Sequence, residues 1–396
     1  MIHRVRNWSK KLIYFPMMKI VYRVLKNLIP SKDNLILFES GLGKQISDSP
    51  KAIYDEVVKR KLPYQKVWIY NGNVEFSDPN TKVVKRLSLK YYYYLARSKY
   101  WVNNQNFPTY IEKPEQTIYI QTWHGTPLKR MLHDNEYFKL YKKEYVEKVS
   151  KAIGNWDYLI SPSPYATKQF QSAFKYKKKV LEVGYPRNDI FYEENIEEKK
   201  KDIKQKLGLS ILKKVILYAP TFRDEEPDKF KLQLDLKKMK EHLGKEYIIL
   251  LRMHIVINKR LDIDEKASDF AVNVSSFSDI QDLMLVADIL ITDYSSVMFD
   301  FVNTNKPMLF FTYDLKEYRD KYRGFYFDFE VEAPGPLLNN TDEIITSVQQ
   351  LSSLQENYKE KYEQFKEKFI PLDDGQSTAR IVNLLFENKG SVFLYD

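Results

Sequence analysis

One histidine of this chain, His124, lies in a segment that combines several groups able to do chemistry. The segment covers residues 121–129, reads Gln-Thr-Trp-His-Gly-Thr-Pro-Leu-Lys, and follows an apolar strand pattern at residues 117–120. Loops at strand ends carry the reactive groups of many α/β proteins. A neutral imidazole there can accept a proton from an attacking hydroxyl near pH 7. The pattern indicates a general base; the alternative is a loop histidine with only a structural hydrogen bond.

A second polar segment begins where a predicted strand at residues 289–292 ends. Thr292, Asp293, Ser295 and Ser296 lie between this strand and a predicted helix. Free backbone N–H groups and the helix dipole attract an anion at such a junction, and the hydroxyls add hydrogen bonds. The segment is therefore typical of a phosphate site. The alternative is N-capping of the helix by a serine, which requires no ligand.

Arg252 and His254 lie at the end of another predicted strand, at residues 247–251. Because side chains alternate along a strand, both residues are expected on the same face. An imidazole beside a guanidinium suits a phosphate whose charge grows during a reaction. The alternative is a half-buried pair at a sheet edge.

The turn after the predicted strand at residues 215–218 contains Pro220, Thr221 and Arg223. Arg223 could clamp a phosphate, with the preceding turn against a base or a ribose. The alternative is a surface arginine paired with the acidic residues that follow it.

A tight turn at residues 184–186 precedes Arg187, Asn188 and Asp189. These side chains are predicted to face a cleft between two domains, although a capped turn explains them nearly as well. A further basic candidate near the end of the second half comprises Arg319, Arg323 and Gly324.

The elements that must position these groups alternate between strand and helix from residue 34 onward. Such alternation predicts parallel sheets with helices on both faces. The expected fold class is α/β, with two Rossmann-like, doubly wound domains that face a cleft. We expect domains at residues 33–178 and 179–375, followed by a helical tail at 376–396.

The first 32 residues differ from the rest because they contain eight lysines and arginines, interleaved with apolar residues, and no acid. No uncharged run approaches the roughly 20 residues that cross a bilayer, and no signal-peptide cleavage site follows. The pattern favours an amphipathic helix in the headgroup region of an anionic membrane, and Pro16 is expected to kink or divide it. The alternative is an ordinary amphipathic helix packed on the protein.

Composition limits the other classes of function. The 396 residues include no cysteine and carry a net charge of +10, so thiolate chemistry and disulfides are excluded, and an anionic partner is expected. HExxH, GxGxxG and Walker lysine patterns are absent from the sequence. We therefore predict neither a metal nor a cofactor.

Together these segments resemble the CDP-glycerol glycerophosphotransferase family of teichoic acid synthesis. The similarity covers most of residues 34–376 and includes residues 38–40, 43–44, 49–51, 121–129, 184–189, 219–223, 251–254, 292–300, 323–326 and 334–336. The WHGTPLK and TDYSSVMFD segments are the most specific. One departure is Ile255, where many relatives have proline after the second histidine.

The resemblance implies a GT-B fold with the donor in the C-terminal domain, and residue roles follow from the matching motifs. His124 would be the general base, and His254 with Arg252 would hold the transferring phosphate. The remaining expected substrate contacts are Gly125, Thr126, Lys129, Arg187, Asn188, Asp189, Pro220, Thr221, Arg223, Thr292, Asp293, Ser295, Ser296 and Asp300.

The leading hypothesis is transfer of glycerol phosphate from CDP-glycerol to an undecaprenyl-diphosphate-linked wall teichoic acid precursor, at the cytoplasmic face of the membrane, with release of CMP. The chain length suggests a primase or a short-extension enzyme. The alternatives are a CDP-ribitol transferase, a capsule polymer synthase and a nucleotide-sugar GT-B glycosyltransferase. A non-enzymatic alternative is a basic protein that binds membrane or nucleic acid; nucleic acid is not expected, because the strongest basic block is terminal and apolar.

Overall fold

Two parallel sheets form the framework of the protein. The computed structural model describes residues 2–221, 232–253, 267–319 and 324–387. Within these residues the first sheet has seven strands in the order β3-β2-β1-β4-β5-β6-β7, and the second has six in the order β10-β9-β8-β11-β12-β13. Every pair of neighbouring strands in the described residues is parallel, as expected for doubly wound domains. The predicted α/β fold class is therefore confirmed.

The first sheet consists of β1 (Lys32–Glu39), β2 (Gln65–Ile69), β3 (Thr81–Val84), β4 (Ser98–Asn103), β5 (Ile118–Gln121), β6 (Tyr158–Ser161) and β7 (Lys179–Glu182). The helices of this half are α1 (Ile2–Leu28), α2 (Asp48–Lys59), α3 (Leu89–Arg97), α4 (Glu136–Lys139), α5 (Lys143–Gly154) and α6 (Pro164–Phe174).

The second sheet consists of β8 (Lys214–Tyr218), β9 (Tyr247–Leu251), β10 (Ala271–Asn273), β11 (Ile289–Thr292), β12 (Met308–Phe311) and β13 (Leu337–Leu338). Its helices are α7 (Ile196–Lys206), α8 (Leu236–Leu243), α9 (Ile280–Val286), α10 (Val297–Phe301), α11 (Leu315–Tyr318), α12 (Phe329–Glu332), α13 (Thr341–Gln349) and α14 (Leu351–Phe369). Helix α15 (Ser377–Val382) and a last helical turn, Asn383–Glu387, follow.

Each sheet is buried on both faces because its strands carry nearly continuous apolar runs. In β1, Leu35 and Leu37 join one apolar cluster, whereas Ile36 and Phe38 join the cluster on the opposite face. The two-residue period of a strand sends alternate side chains to opposite layers. This arrangement fixes the strand ends, where the candidate site lies.

One strand belongs to a different domain than the sequence suggested. Strand β7, which we assigned to the second domain, pairs with β6 of the first sheet. The C-terminal tail, for which no domain was predicted, returns to the first domain, where the ring of Phe386 packs 5.7 Å from the ring of Tyr64. Both arrangements join segments that are distant in sequence, so local composition does not reveal them.

Helix α1 is continuous, and Pro16 does not divide it. Its second half packs on the first domain, where Met18 and Tyr22 are buried and the Tyr22 hydroxyl donates to the Glu112 carbonyl at 2.8 Å. No helix in the described part of the chain is both long enough and apolar enough to cross a bilayer.

Candidate active site

His124 sits on a short turn that follows β5 and is held from several sides. The turn reverses at Trp123, whose φ is +55°, and the Trp123 N–H donates to the Gln121 side chain at 2.9 Å. The Trp123 ring lies 4.3 Å from the imidazole and 4.7 Å from the ring of Phe174, measured between centroids. Backbone and aromatic packing together orient the imidazole.

The tautomer of His124 follows from its hydrogen bond. Nδ1 lies 2.9 Å from the backbone carbonyl oxygen of Asn104. A carbonyl oxygen can only accept, so Nδ1 carries the proton and Nε2 keeps a free lone pair. The residue is exposed. Nε2 is therefore available as a proton acceptor, although His124 itself does not line the cavity at the junction of the two domains.

The surroundings keep this imidazole neutral. Desolvation by the enclosing protein is the main effect that lowers the pKa of His124, and Arg187 lowers it further. The Asn104 carbonyl and Asp48 act in the opposite direction without cancelling the decrease. A lowered pKa leaves the ring unprotonated at neutral pH, as general base catalysis requires.

The turn also forms part of the contact between the two domains. A Cβ atom placed on Gly125 would lie 2.8 Å from Ser296 Oγ and 3.1 Å from Ser296 Cβ. Farther along, Lys129 forms an antiparallel bridge with Phe325, and the Arg130 N–H donates to the Gly324 carbonyl at 3.2 Å. The structure therefore places the His124 turn next to the segment at residues 292–296, here called the serine turn, as predicted.

A cavity of about 690 Å³ opens at this junction and draws its walls from both domains. Its volume suits a nucleotide-sized ligand. The first domain contributes Gly41, Leu42, Lys44, Gln45, Tyr70, Gln105 and Lys129. The second contributes Ala219, Pro220, Thr221, Arg252, Met253, Ser275, Ser276, Phe277, Ser278, Ile280, Ser295, Ser296 and Val297. Three of these described lining residues are cationic and none is acidic, so the cavity favours an anion.

Arg252 is fixed on the second-domain wall by backbone carbonyls. Its Nη1 donates to the carbonyl oxygens of Val274 at 3.0 Å and Ser275 at 2.8 Å. These bonds hold the guanidinium at the cavity. His254, predicted to act beside it, lies outside the described residues, as do Arg223 and Arg323.

Two residues of the serine turn support the loop after β8 and are themselves buried. Thr292 Oγ1 donates to the Ala219 carbonyl at 2.7 Å, and the Asp293 carboxylate accepts from the Thr221 N–H at 2.8 Å. Both side chains are thus engaged within the protein, whereas Ser295 and Ser296 line the cavity. Contact of Thr292 and Asp293 with a ligand, as predicted, is not what this geometry provides.

Arg187, Asn188 and Asp300 are buried and do not line the cavity, contrary to our expectation. Arg187 donates through Nη2 to Asp300 Oδ1 at 2.9 Å and through Nη1 to Asp48 Oδ1 at 3.1 Å. Asn188 Nδ2 donates to Asp300 at 2.9 Å. The physical reason is that Arg187, on the segment connecting the two domains, pairs with one buried carboxylate from each domain. Asp189 instead accepts from the backbone N–H groups at the start of α15, at 3.1 and 2.7 Å.

This buried network reaches His124. Asp48 also accepts from Asn104 Nδ2 at 2.7 Å, and the Asn104 carbonyl holds the imidazole. Although burial alone would raise the pKa of Asp48, Arg187 and hydrogen bonds from Ser49 and Asn104 lower it below its ordinary value. Asp48 is therefore an anion that joins His124, through Asn104, to the segment that connects the domains.

Apart from Lys129, no residue of the first-domain wall was expected to contact a substrate. That wall contains a glycine-rich turn at Gly41–Gly43 directly after β1, together with Lys44, Tyr70 and Gln105. The available signal was the position of Gly41, Gly43 and Lys44 at a predicted strand end. Ser275, Ser276 and Ser278 on the other wall follow β10 and were also missed.

Comparison with known proteins places the chain in a family. The family model described as CDP-glycerol:poly(glycerophosphate) glycerophosphotransferase matches residues 20–387. The chain belongs to this family. The predicted resemblance is thereby confirmed, and the protein is a transferase of the CDP-glycerol glycerophosphotransferase class.

Relatives of this glycerophosphotransferase include the teichoic acid poly(glycerol phosphate) polymerase of Bacillus subtilis strain 168, 43% identical over 389 residues. The match covers 93% of this chain but only 52% of that protein, so the chain spans about half its length. The corresponding polymerase of Bacillus spizizenii W23 is 42% identical, with 92% and 95% covered. The teichoic acid glycerol-phosphate transferase of Staphylococcus aureus NCTC 8325 is 39% identical, with 97% and 100% covered.

A solved structure, that of the wall teichoic acid polymerase TagF, superposes on the glycerophosphotransferase with a TM-score of 0.87 at 36% identity. The superposition covers 97% of this chain and 98% of that one. The predicted two-domain GT-B fold is confirmed by this likeness.

Proposed function

We propose that this glycerophosphotransferase moves glycerol phosphate from CDP-glycerol to the terminal hydroxyl of an undecaprenyl-diphosphate-linked teichoic acid precursor and releases CMP. The observation that carries the proposal is the contact between Gly125, beside His124, and Ser296 at the edge of the cavity. It brings the turn that carries His124 against the serines of the other domain that line the cavity, and an attack on a bound phosphate requires a base and hydrogen-bond donors in such proximity.

The reaction follows from the positions of these groups. His124 Nε2 takes the proton of the acceptor hydroxyl while that oxygen attacks the phosphorus that carries glycerol. The bond from this phosphorus to the bridging oxygen breaks, and the electron pair leaves on that oxygen as part of CMP. Arg252, Lys129 and the serine hydroxyls offset the negative charge that grows on the transferring phosphate. The imidazolium then returns its proton to solvent.

Donor preference for CDP-glycerol is supported by the relatives, because the three named above are glycerol phosphate enzymes. A ribitol phosphate polymerase of Bacillus spizizenii W23 is only 29% identical over 390 residues. One TagF structure was obtained from a crystal soaked with CDPG. We place the diphosphate of the donor against the second-domain wall, because that wall carries Arg252 and several serine hydroxyls.

The test is transfer by the full chain from radiolabelled CDP-glycerol, CDP-ribitol and a UDP-sugar to a prenyl-diphosphate disaccharide that ends in glycerol phosphate. We expect turnover with CDP-glycerol, and a decrease of about 10²–10⁴-fold in kcat for His124→Asn, the usual share of a general base. CDP-glycerol binding, measured by calorimetry, should persist in this variant. The length of the product also distinguishes a primase from a polymerase.

The pH profile provides an independent check of the role of His124. Because the pKa of His124 is lowered, kcat/KM of the wild type should be constant near neutral pH and fall as pH decreases through that pKa. His124→Asn should lose this acidic limb. The matched control is His242→Asn, an exposed histidine on α8, which should leave the rate and profile unchanged. Full turnover by His124→Asn would refute the proposed mechanism.

We also propose that α1 attaches the enzyme to the cytoplasmic side of an anionic membrane. The helix face opposite the packed one exposes Met17 by 48%, Ile20 by 66%, Val24 by 49% and Leu28 by 76%. Residues spaced this way form one stripe on a helix. Lys19 and Arg23 are exposed beside the stripe and can contact anionic headgroups.

Co-sedimentation with vesicles of phosphatidylglycerol and phosphatidylcholine tests this attachment. The double substitution Ile20→Glu and Val24→Glu should abolish binding, because it places two charges in the apolar stripe. The control pair is Ile211→Glu and Leu212→Glu, which changes two exposed apolar residues of the second domain and should leave binding intact. Equal binding by both double variants would contradict the proposal.

A further inference from the structure

The first-domain wall of the cavity is built on an unusual turn. Gly41, Leu42 and Gly43 have consecutive positive φ values of +53°, +59° and +72°. A leucine in this region costs about 1–2 kcal/mol relative to the right-handed conformation. Such strain persists only where the surroundings impose it, and it concentrates at ligand-binding sites. The turn therefore requires an explanation that its local sequence does not provide.

The turn is fixed by residues of three neighbouring segments. The Gly41 N–H donates to Asn104 Oδ1 at 3.1 Å, and the Gly43 carbonyl accepts from the Asn71 N–H at 2.8 Å. A Cβ atom on Gly43 would lie 3.2 Å from the side chain of Arg86, so a larger residue there would need Arg86 to shift as well as a strained positive φ. Arg86 is in turn held by the buried carboxylate of Glu39 at 3.0 Å. The backbone of the turn is consequently rigid.

Lys44 follows this turn, is exposed, and lines the cavity. No acidic residue among the described lining residues is available to neutralise it. The other two cations of the cavity are already engaged. Arg252 is bonded to carbonyls of the second domain, and the Lys129 ammonium donates to the Tyr318 hydroxyl at 3.2 Å. Lys44 thus offers its charge to a ligand on the first-domain side.

The position of the turn relative to His124 identifies which ligand this is. The same residue, Asn104, binds the Gly41 N–H through its side chain and His124 through its carbonyl. The next residue, Gln105, lines the cavity with Lys44. An acceptor whose hydroxyl reaches His124 must therefore pass along this wall, while the donor diphosphate occupies the hydroxyl-rich wall opposite.

We propose that residues 41–45 form a subsite for the acceptor, in which Lys44 binds the phosphodiester that precedes the terminal glycerol. The inference rests on the proposed function, because it takes the acceptor to be a glycerol phosphate chain. In that acceptor the reactive hydroxyl and the nearest phosphate belong to the same terminal unit. Binding this phosphate places the hydroxyl at the general base, and it favours an end that carries glycerol phosphate over one that carries only sugar.

The test compares Lys44→Gln with wild type, using glycerophosphoglycerol as a soluble probe of the acceptor end. Direct titration should show its affinity weakened about 10-fold to 100-fold in the variant, the effect of losing one charged hydrogen bond. The KM for the lipid-linked acceptor should rise by a similar factor, whereas the KM for CDP-glycerol should stay within about twofold. Circular dichroism confirms the fold of this surface variant.

The matched control is Lys82→Gln, which changes an exposed lysine on β3 and should alter neither affinity. Unchanged affinity for glycerophosphoglycerol in Lys44→Gln would overturn the subsite. A rise in the KM for CDP-glycerol instead would assign Lys44 to the donor and also overturn it. The titration does not depend on turnover, so the subsite can fail while transfer from CDP-glycerol holds, and the reverse.

Discussion

The two walls of the cleft differ in the polar side chains that follow their strands and in whether those side chains reach the cavity. The first-domain strands β1, β4 and β5 end in Glu39, Asn103 and Gln121, and each of these is 0% exposed. These polar side chains are buried inside the protein, where they help to hold the Gly41–Gly43 turn and the imidazole of His124 in place. The corresponding ends of the second sheet lead into turns whose serines line the cavity.

This difference matches the chemistry that we propose for each wall. A general base works only when a single nitrogen is placed within hydrogen-bond reach of one proton. A diphosphate has many oxygens and accepts donors from several directions. Rigidity is therefore concentrated on the side of His124, and hydrogen-bond capacity on the opposite side.

Arg187 is the residue that joins the two walls. It contacts Asp48, which lies on the first domain near His124, and Asp300, which lies on α10 directly after the serine turn. Its side chain is only 3% exposed. One buried guanidinium between two carboxylates therefore contributes to the relative position of the His124 turn and the serine turn.

The largest effect is expected from breaking this connection with Arg187→Lys. A lysine ammonium cannot reproduce the planar fork that serves both carboxylates. One buried charge would remain poorly paired, and loss of a buried partner typically costs about 3–5 kcal/mol of folding free energy. Denaturant unfolding measures this loss. Steady-state kinetics should show a large decrease in kcat and a smaller change in the KM for CDP-glycerol, because the donor wall itself is unchanged.

The control for this substitution is Arg97→Lys, on α3 of the first domain. Arg97 lies over the ring of Tyr93 at 5.6 Å and is only partly buried, so the change should cost less than about 1 kcal/mol. Equal losses in the two variants would mean that Arg187 is an ordinary structural arginine. Arg187 would then not be the physical link between the first-domain wall, which positions His124, and the second-domain wall, which we propose binds the donor.

The sequence predicted the sheets well because each strand carries its own signal. The apolar run at residues 289–292 coincides with β11 (Ile289–Thr292), since a strand buried on both faces must be apolar throughout. The three consecutive lysines at residues 177–179, where β7 begins, instead resembled a linker and led us to place the domain boundary there. Only its pairing with β6, which no local pattern encodes, places β7 in the first sheet.

The candidate site was predicted only in part, because local patterns reveal strand-end motifs but not which distant residues pair with each other. His124 and Ser296 were recognised from strand-end motifs, and the structure brings their turns together. Arg187 was expected at the cleft because it follows a tight turn, and Asp300 was expected there from the family resemblance. Their 113-residue separation hid the fact that they pair with each other. The roles of His254 and Arg223 stay predictions, since neither belongs to the described residues.

A smaller and sharper perturbation is Gly125→Ala, at the point where the walls touch. The added Cβ would lie 2.8 Å from Ser296 Oγ, so the serine or the His124 turn must shift by a few tenths of an ångström. Because small misplacements of reacting groups are costly, we expect kcat/KM to fall about tenfold. Folding free energy should change by less than about 1 kcal/mol, since the contact is at the cleft surface.

The matched control is Gly154→Ala at the end of α5, where an added Cβ would meet nothing within 4 Å. This variant should keep full activity and gain up to about 1 kcal/mol of stability, because alanine loses less backbone freedom in a helix. If Gly125→Ala were as active as Gly154→Ala, the two walls could separate without loss of rate. Close contact between the His124 turn and the serine turn would then be a feature of packing, and the base would have to reach its substrate by another geometry.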